Sequence, residues 1–136
     1  MSKWFKKEVK KITDPVDFGT AEKTPVSKNI TENIIGLKSR FGNSFDILYK
    51  ETSLKGNKAL FVMDDGMCNN MQVICQVIGP VMFAPDMPKE PSKQADYIRD
   101  RVTTGADQSQ TYDLDEAITD VLSGLIVLFI DGVDFC

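Results

Sequence analysis

The chain has 136 residues, 42% hydrophobic and 26% charged, with a formal net charge of −4. That length gives one domain with a sizeable core and is too short for two of ordinary size, and the composition is that of a globular protein rather than a disordered one. The longest purely apolar run, Leu125 to Ile130, falls far short of the roughly 20 residues of a membrane span, and no apolar stretch follows the basic N-terminus as a secretory signal requires.

Charge is unevenly spread. Residues 1–12 carry five lysines and one glutamate, and the rest of the chain carries 11 basic and 19 acidic side chains. An acidic body does not suit a nucleic-acid binder, whose affinity comes from neutralising phosphates, so no nucleic acid is expected as a partner. In "MSKWFKKEVKKI", Trp4, Phe5, Val9 and Ile12 fall at helical spacing opposite Lys3, Lys6, Lys7, Lys10 and Lys11. That pattern fits either an acidic membrane surface or a solvated tail. "TDPVDFGTAEKTPVSKN" has no periodicity and reads as a flexible linker. Residues 1–28 are therefore taken as a basic tip and linker, and 29–136 as a single α/β domain.

Asn29 is placed to cap a helix in which Ile30, Ile34, Leu37, Lys38 and Phe41 form one stripe, stopped by Gly42. "SFDILYKETSL" alternates Phe45, Ile47 and Tyr49, the pattern of a half-buried strand. After the turn "KGN", the more continuously apolar "KALFVMD" pairs back as an antiparallel hairpin. A helix capped by Asn69 or Asn70 follows, with Met71, Ile74, Val77, Ile78 and Val81 as its apolar face, and Pro80 kinks or ends it. "APDMPKEPSKQ" reads as a loop because of its three prolines, and "ADYIRDRVTTG" as a short helix.

"LDEAITDVLSG" aligns Leu114, Ala117, Ile118, Val121 and Leu122, with Asp113 as cap, Asp115 and Glu116 at the positive dipole end, and Gly124 as the stop. It runs into "LIVLFIDG", an uninterrupted apolar strand of the kind buried on both faces in the middle of a mixed or parallel sheet. The order α-β-β-α-(α)-α-β predicts an α/β fold, a small mixed sheet of three to four strands covered by helices. A doubly buried strand so near the last residue, with Phe135 and Cys136 still apolar, suggests a piece of a longer protein.

Two strands end in carboxylates beside glycine, Asp64-Asp65-Gly66 and Asp131-Gly132. An enzyme would use such strand ends to hold magnesium or phosphate. The chain has no histidine, no Gly-rich phosphate loop of either common type and no nucleophile elbow. Asp-Gly is also a favoured turn, since glycine takes positive φ and aspartate bonds nearby backbone. The turn explanation is preferred: no catalytic residues, metal ligands or cofactor are expected. Beyond turns, Asp64, Asp65, Asn69 and Asp131 are the candidates for contact with a partner chain or ligand. Cys68, Cys75 and Cys136 are odd in number and sit in or beside apolar segments, which points to small buried thiols in a reducing compartment, not a disulfide framework.

The succession "GNSFDILYKE", "ALFVMDDGM", "VICQVIGPVM", a Pro-rich loop and "LDEAITDVLSGLIVLFIDG" resembles the N-terminal soluble domain of germinant receptor A subunits in endospore formers, the GerA/GerKA family. A related A-subunit-like protein beside the spore dipicolinate channel shares this domain. The resemblance covers roughly residues 30–136, and its most specific part is Leu122-Ser123-Gly124, the apolar strand and Asp131-Gly132 in succession. The family's central strand commonly ends Tyr-Ile-Asp-Gly; here Val62-Met63-Asp64-Asp65-Gly66 carries an extra aspartate. The resemblance implies a non-enzymatic cytoplasmic head of a spore inner-membrane protein, acting with B and C subunits and with copies of itself to trigger germination. The alternative is an α/β module that binds a small nutrient or anion.

Overall fold

Strand β2 (Asn57–Asp64) is the centre of the molecule, and its sequence says why. Five consecutive residues, Ala59 to Met63, are buried, so both faces of this strand are covered. The structure, a computed structural model, describes residues 23–103 and 107–136. β1 (Ile47–Leu54) and β3 (Val127–Ile130) pair with β2 on either side, both antiparallel, in the order β1-β2-β3. The β1–β2 hairpin turns at Lys55 and Gly56, with φ of 52° and 90°, the left-handed pair that a two-residue turn of this hand requires.

Side chains alternate across the sheet and fill two cores. On one face Ile47, Leu60, Val62, Val127 and Phe129 pack against helices α1 (Ile30–Phe41) and α4 (Leu114–Leu122). On the other, Leu54, Phe61, Met63 and Ile130 pack against α2 and α3. α2 runs through residues 70–82 as an α-helical turn (Asn70–Val73), a π-helical turn (Ile74–Ile78) and a final α-helical turn (Gly79–Met82). α3 is Pro91–Tyr97 followed by the π-helical Ile98–Val102. This is the α/β architecture the sequence predicts, with three strands and helices on both faces.

Within it, several local expectations change. The sheet is antiparallel throughout rather than mixed, and β3 takes an edge, not the middle. Phe45 is 96% exposed, because β1 begins only at Ile47, opposite the last residue of β2. Met71 and Ile74 face solvent, whereas Val73, Ile78 and Val81 are buried. The π-helical turn adds a residue to the helical period and rotates the buried stripe. α3 begins at Pro91, inside the stretch taken for loop, since proline fits the first helical position, where its missing N–H would be unpaired anyway. Leu122 is exposed as well.

The tip and linker assigned to residues 1–28 fall mostly outside the described residues. Residues 24–28 are tied into the domain: Val26 is buried, Pro25 bridges Asp113, and the buried Asn33 amide holds both backbone groups of Ser27 at 2.8 and 2.7 Å.

Candidate functional site

The first acidic exit is built where β2 leaves the sheet. The Asp64 carboxylate accepts a hydrogen bond from the Gly66 N–H at 2.9 Å, and its carbonyl accepts from the Met67 and Cys68 N–H groups at 3.1 Å each. The Asp65 N–H donates to the Asp46 carbonyl at 2.7 Å, and the Asp65 carboxylate accepts from the Asn70 side-chain amide. Asn69 caps α2 by accepting from the Gln72 N–H at 3.3 Å. Three of the four candidate residues therefore lie together: the side chains of Asp64 and Asn69 serve the chain's own backbone, and that of Asp65 holds the Asn70 side chain. The positive φ expected at Gly66 is not present; the Asp64 carboxylate forms this turn instead, which is the Asx arrangement.

Asp131 makes the second exit and stands apart. Its carboxylate accepts from the Ile30 N–H at 3.0 Å, its N–H donates to the Lys58 carbonyl at 2.8 Å, and the Gly132 N–H donates to the Lys28 carbonyl at 2.7 Å. The last strand thus closes over the first turn of α1. Because β2 and β3 run antiparallel, with Ala59 opposite Ile130, their C-terminal ends lie at opposite ends of the sheet. Six residues of strand separate Lys58 from Asp64, about 20 Å at 3.3 Å per residue. Asp131 cannot share an ion with Asp64 and Asp65. Among the described residues, no three His, Cys, Asp or Glu side chains gather to hold a metal.

A feature the sequence did not disclose lies against β3. A cleft of about 350 Å³ opens between α2, α3 and the strand, floored by Phe61, Val77, Val81, Ile98 and Leu128, with Asp120 in its wall. Burial raises the Asp120 carboxyl above the usual range, helped by Glu116 nearby. Cys136 also lines the cleft, and burial, with Asp120 and Glu116 adding to it, pushes its thiol up to about 12. Only the apolar run 125–130 hinted at this cleft, and its pattern suits a core equally well. The cysteines are all free; Cys68 and Cys136 are half-buried as small apolar thiols, but Cys75 is exposed, on the face turned outward by the π-helical segment.

Fold and site together describe an α/β domain with helices on both faces of an antiparallel sheet, whose acidic strand exits are hydrogen-bonded within the chain. The chain belongs to the GerA spore germination family: residues 36–136 match the sequence model described as Bacillus/Clostridium GerA spore germination protein. The crystal structure of the N-terminal domain of the A subunit of the Bacillus megaterium spore germinant receptor GerK3 has the same fold, with a TM-score of 0.70 at 18% sequence identity. The likeness covers 84% of this chain and 46% of that one, so the chain spans less than half of that structure. No curated protein sequence matches significantly. Among the described residues, no helix is long and apolar enough to cross a membrane.

Proposed function

We propose that this chain is the cytoplasmic head of a germinant receptor A subunit, a module that assembles and couples the receptor and has no turnover of its own. The observation that carries this reading is the family match over residues 36–136, joined to the fold shared with an A-subunit N-terminal domain. The bonds that Asp64, Asn69 and Asp131 make to the chain's own backbone, and Asp65 to the Asn70 side chain, support it, because each has a structural role at its strand exit. Its partners would be B- and C-type subunits and copies of itself, and the whole protein would sit in the spore inner membrane.

Spores carrying Gly132→Val in the full-length subunit would respond poorly to that receptor's nutrient and germinate normally with added dipicolinate. A normal nutrient response at normal subunit abundance would refute the coupling role. The cleft against β3 favours a second reading, a site for a small nutrient; its lining, with Asp107 and Asp120 and no basic side chain, does not suit an anion. A ligand at 100 times its Kd would add about 2.7 kcal/mol, raising Tm by several degrees. A response lost through weakened nutrient affinity alone, at unchanged abundance, would make this the better account.

A further inference from the structure

The end of the domain where β2 leaves the sheet carries an apolar surface that no described residue covers. Met67 and Met71 are 60% and 68% exposed, and Leu122 and Leu125 are 54% and 52% exposed. Gly124, between Leu122 and Leu125, rests on the turn after β2 that carries Met67. The Cys68 thiol donates to the Gly124 carbonyl at 3.3 Å, and a Cβ on Gly124 would stand 3.4 Å from Met67 Cβ. Exposed methionines suit a surface that moulds itself to a helix.

The segments that carry these four residues are acidic. Asp64 and Asp65 lead into Met67, and the Asp120 carbonyl accepts from the Leu125 N–H at 3.0 Å. Residues 59–88 and 102–136, which supply nearly all of β2, α2, α4 and β3, hold ten acidic side chains and no basic one. A basic amphipathic helix is the complement of such a surface. The chain itself has one stretch of that pattern, residues 3–12, with five lysines opposite Trp4, Phe5, Val9 and Ile12.

We propose that residues 3–12 dock in cis on this surface, the apolar stripe against Met67, Met71, Leu122 and Leu125 and the lysines toward Asp64, Asp65 and Asp120. The chain can reach. The Thr24 carbonyl accepts from the Leu114 N–H at 2.8 Å, so residue 23 lies near the start of α4, and Leu125 lies beyond its other end. That is about 15 Å at 1.5 Å per residue, whereas the ten residues 13–22 extend to about 33 Å. A tether that short holds the segment near 1 mM effective concentration, so an intrinsic Kd of about 100 µM docks about nine-tenths of the molecules.

Trp4 is the only tryptophan of the chain, so its fluorescence reports the segment directly. In the full chain Trp4 should be blue-shifted and quenched by acrylamide several-fold less than in a free peptide of residues 1–14. Met71→Lys with Leu125→Lys should return quenching to the peptide's value at unchanged Tm. Lys7→Glu with Lys10→Glu, which leaves the folded domain untouched, should do the same. Salt at about 0.5 M should weaken the protection, since exposed charge pairs are screened. Trp4 as quenchable in the full chain as in the peptide would overturn the proposal. So would protection that survives both double variants, or a blue shift that appears only on phosphatidylglycerol vesicles.

Discussion

Gly132→Val puts the second strand exit under direct strain. Gly132 has a φ of 91°, where a β-branched residue is a backbone outlier, at a cost of roughly 1–3 kcal/mol. Space is short as well: a Cβ there would lie 3.0 Å from Pro91 Cγ and 3.3 Å from Pro91 Cβ. Pro91 opens α3, and α3 is anchored by the buried Gln94, whose amide donates to the Leu54 and Pro88 carbonyls at 2.7 and 2.8 Å. The ring therefore has little freedom to retreat, and crowding adds about 1 kcal/mol or more. Together these give about 2–4 kcal/mol, and a domain of this size loses about 4 °C of Tm per kcal/mol. Thermal unfolding of the purified chain, followed by circular dichroism, should show Gly132→Val melting about 8–16 °C lower. Gly132→Ala should cost less, and less again in a Pro91→Ala background, because the two sites touch and their effects couple. A Gly132→Val protein melting within about 2 °C of the parent would refute both the left-handed exit and its contact with α3.

Asp131→Ala should remove the acceptor for the Ile30 N–H and lower stability by about 1 kcal/mol in urea denaturation, whereas Asp131→Asn, which keeps the carbonyl oxygen, should recover most of it; millimolar magnesium or calcium should leave Tm unchanged, and a saturable rise abolished by Asp65→Asn would overturn the turn reading of the first exit. For the thiols, a neutral-pH alkylating reagent should label the exposed Cys75 first and Cys136 last. Folding holds the Cys136 thiol protonated up to about 12, above its ordinary 9.0. Its contribution is therefore intact below pH 9 and lost as pH rises toward 12, so Cys136→Ala should flatten the alkaline fall in stability.

Much of this fold is readable in the sequence wherever the cause is local. Asn29 and Asp113 do cap α1 and α4, accepting from the Thr31 and Asp115 N–H groups, and the turn at Lys55-Gly56 does make the hairpin. The position of β3 was not readable. An uninterrupted apolar run reports that both faces are covered, and here helices cover both faces of a strand at the sheet edge. Burial of faces and place in the sheet are separate properties, and the run encodes only the first. The phase of α2 was hidden because the π-helical turn breaks the regular period on which the stripe of Met71 and Ile74 was drawn. At the site, the Asn69 cap followed from local chemistry, whereas the turn expected at Asp65-Gly66 is made by the Asp64 carboxylate on the Gly66 N–H. The partner of Asp131 is 101 residues away, and no local pattern can announce such a bond.

That long-range bond has a kinetic corollary. The N–H of the first residue of α1 is satisfied by the final strand exit, and Lys28 is held by Gly132. The first turn of α1 is thus completed by a residue 101 positions later in the chain, which raises the contact order and slows folding. During synthesis, when domains fold as units, α1 and the β1–β2 hairpin must wait on the ribosome with one flank of β2 unpaired. Closure can begin only once residues 127–132 have cleared the exit tunnel.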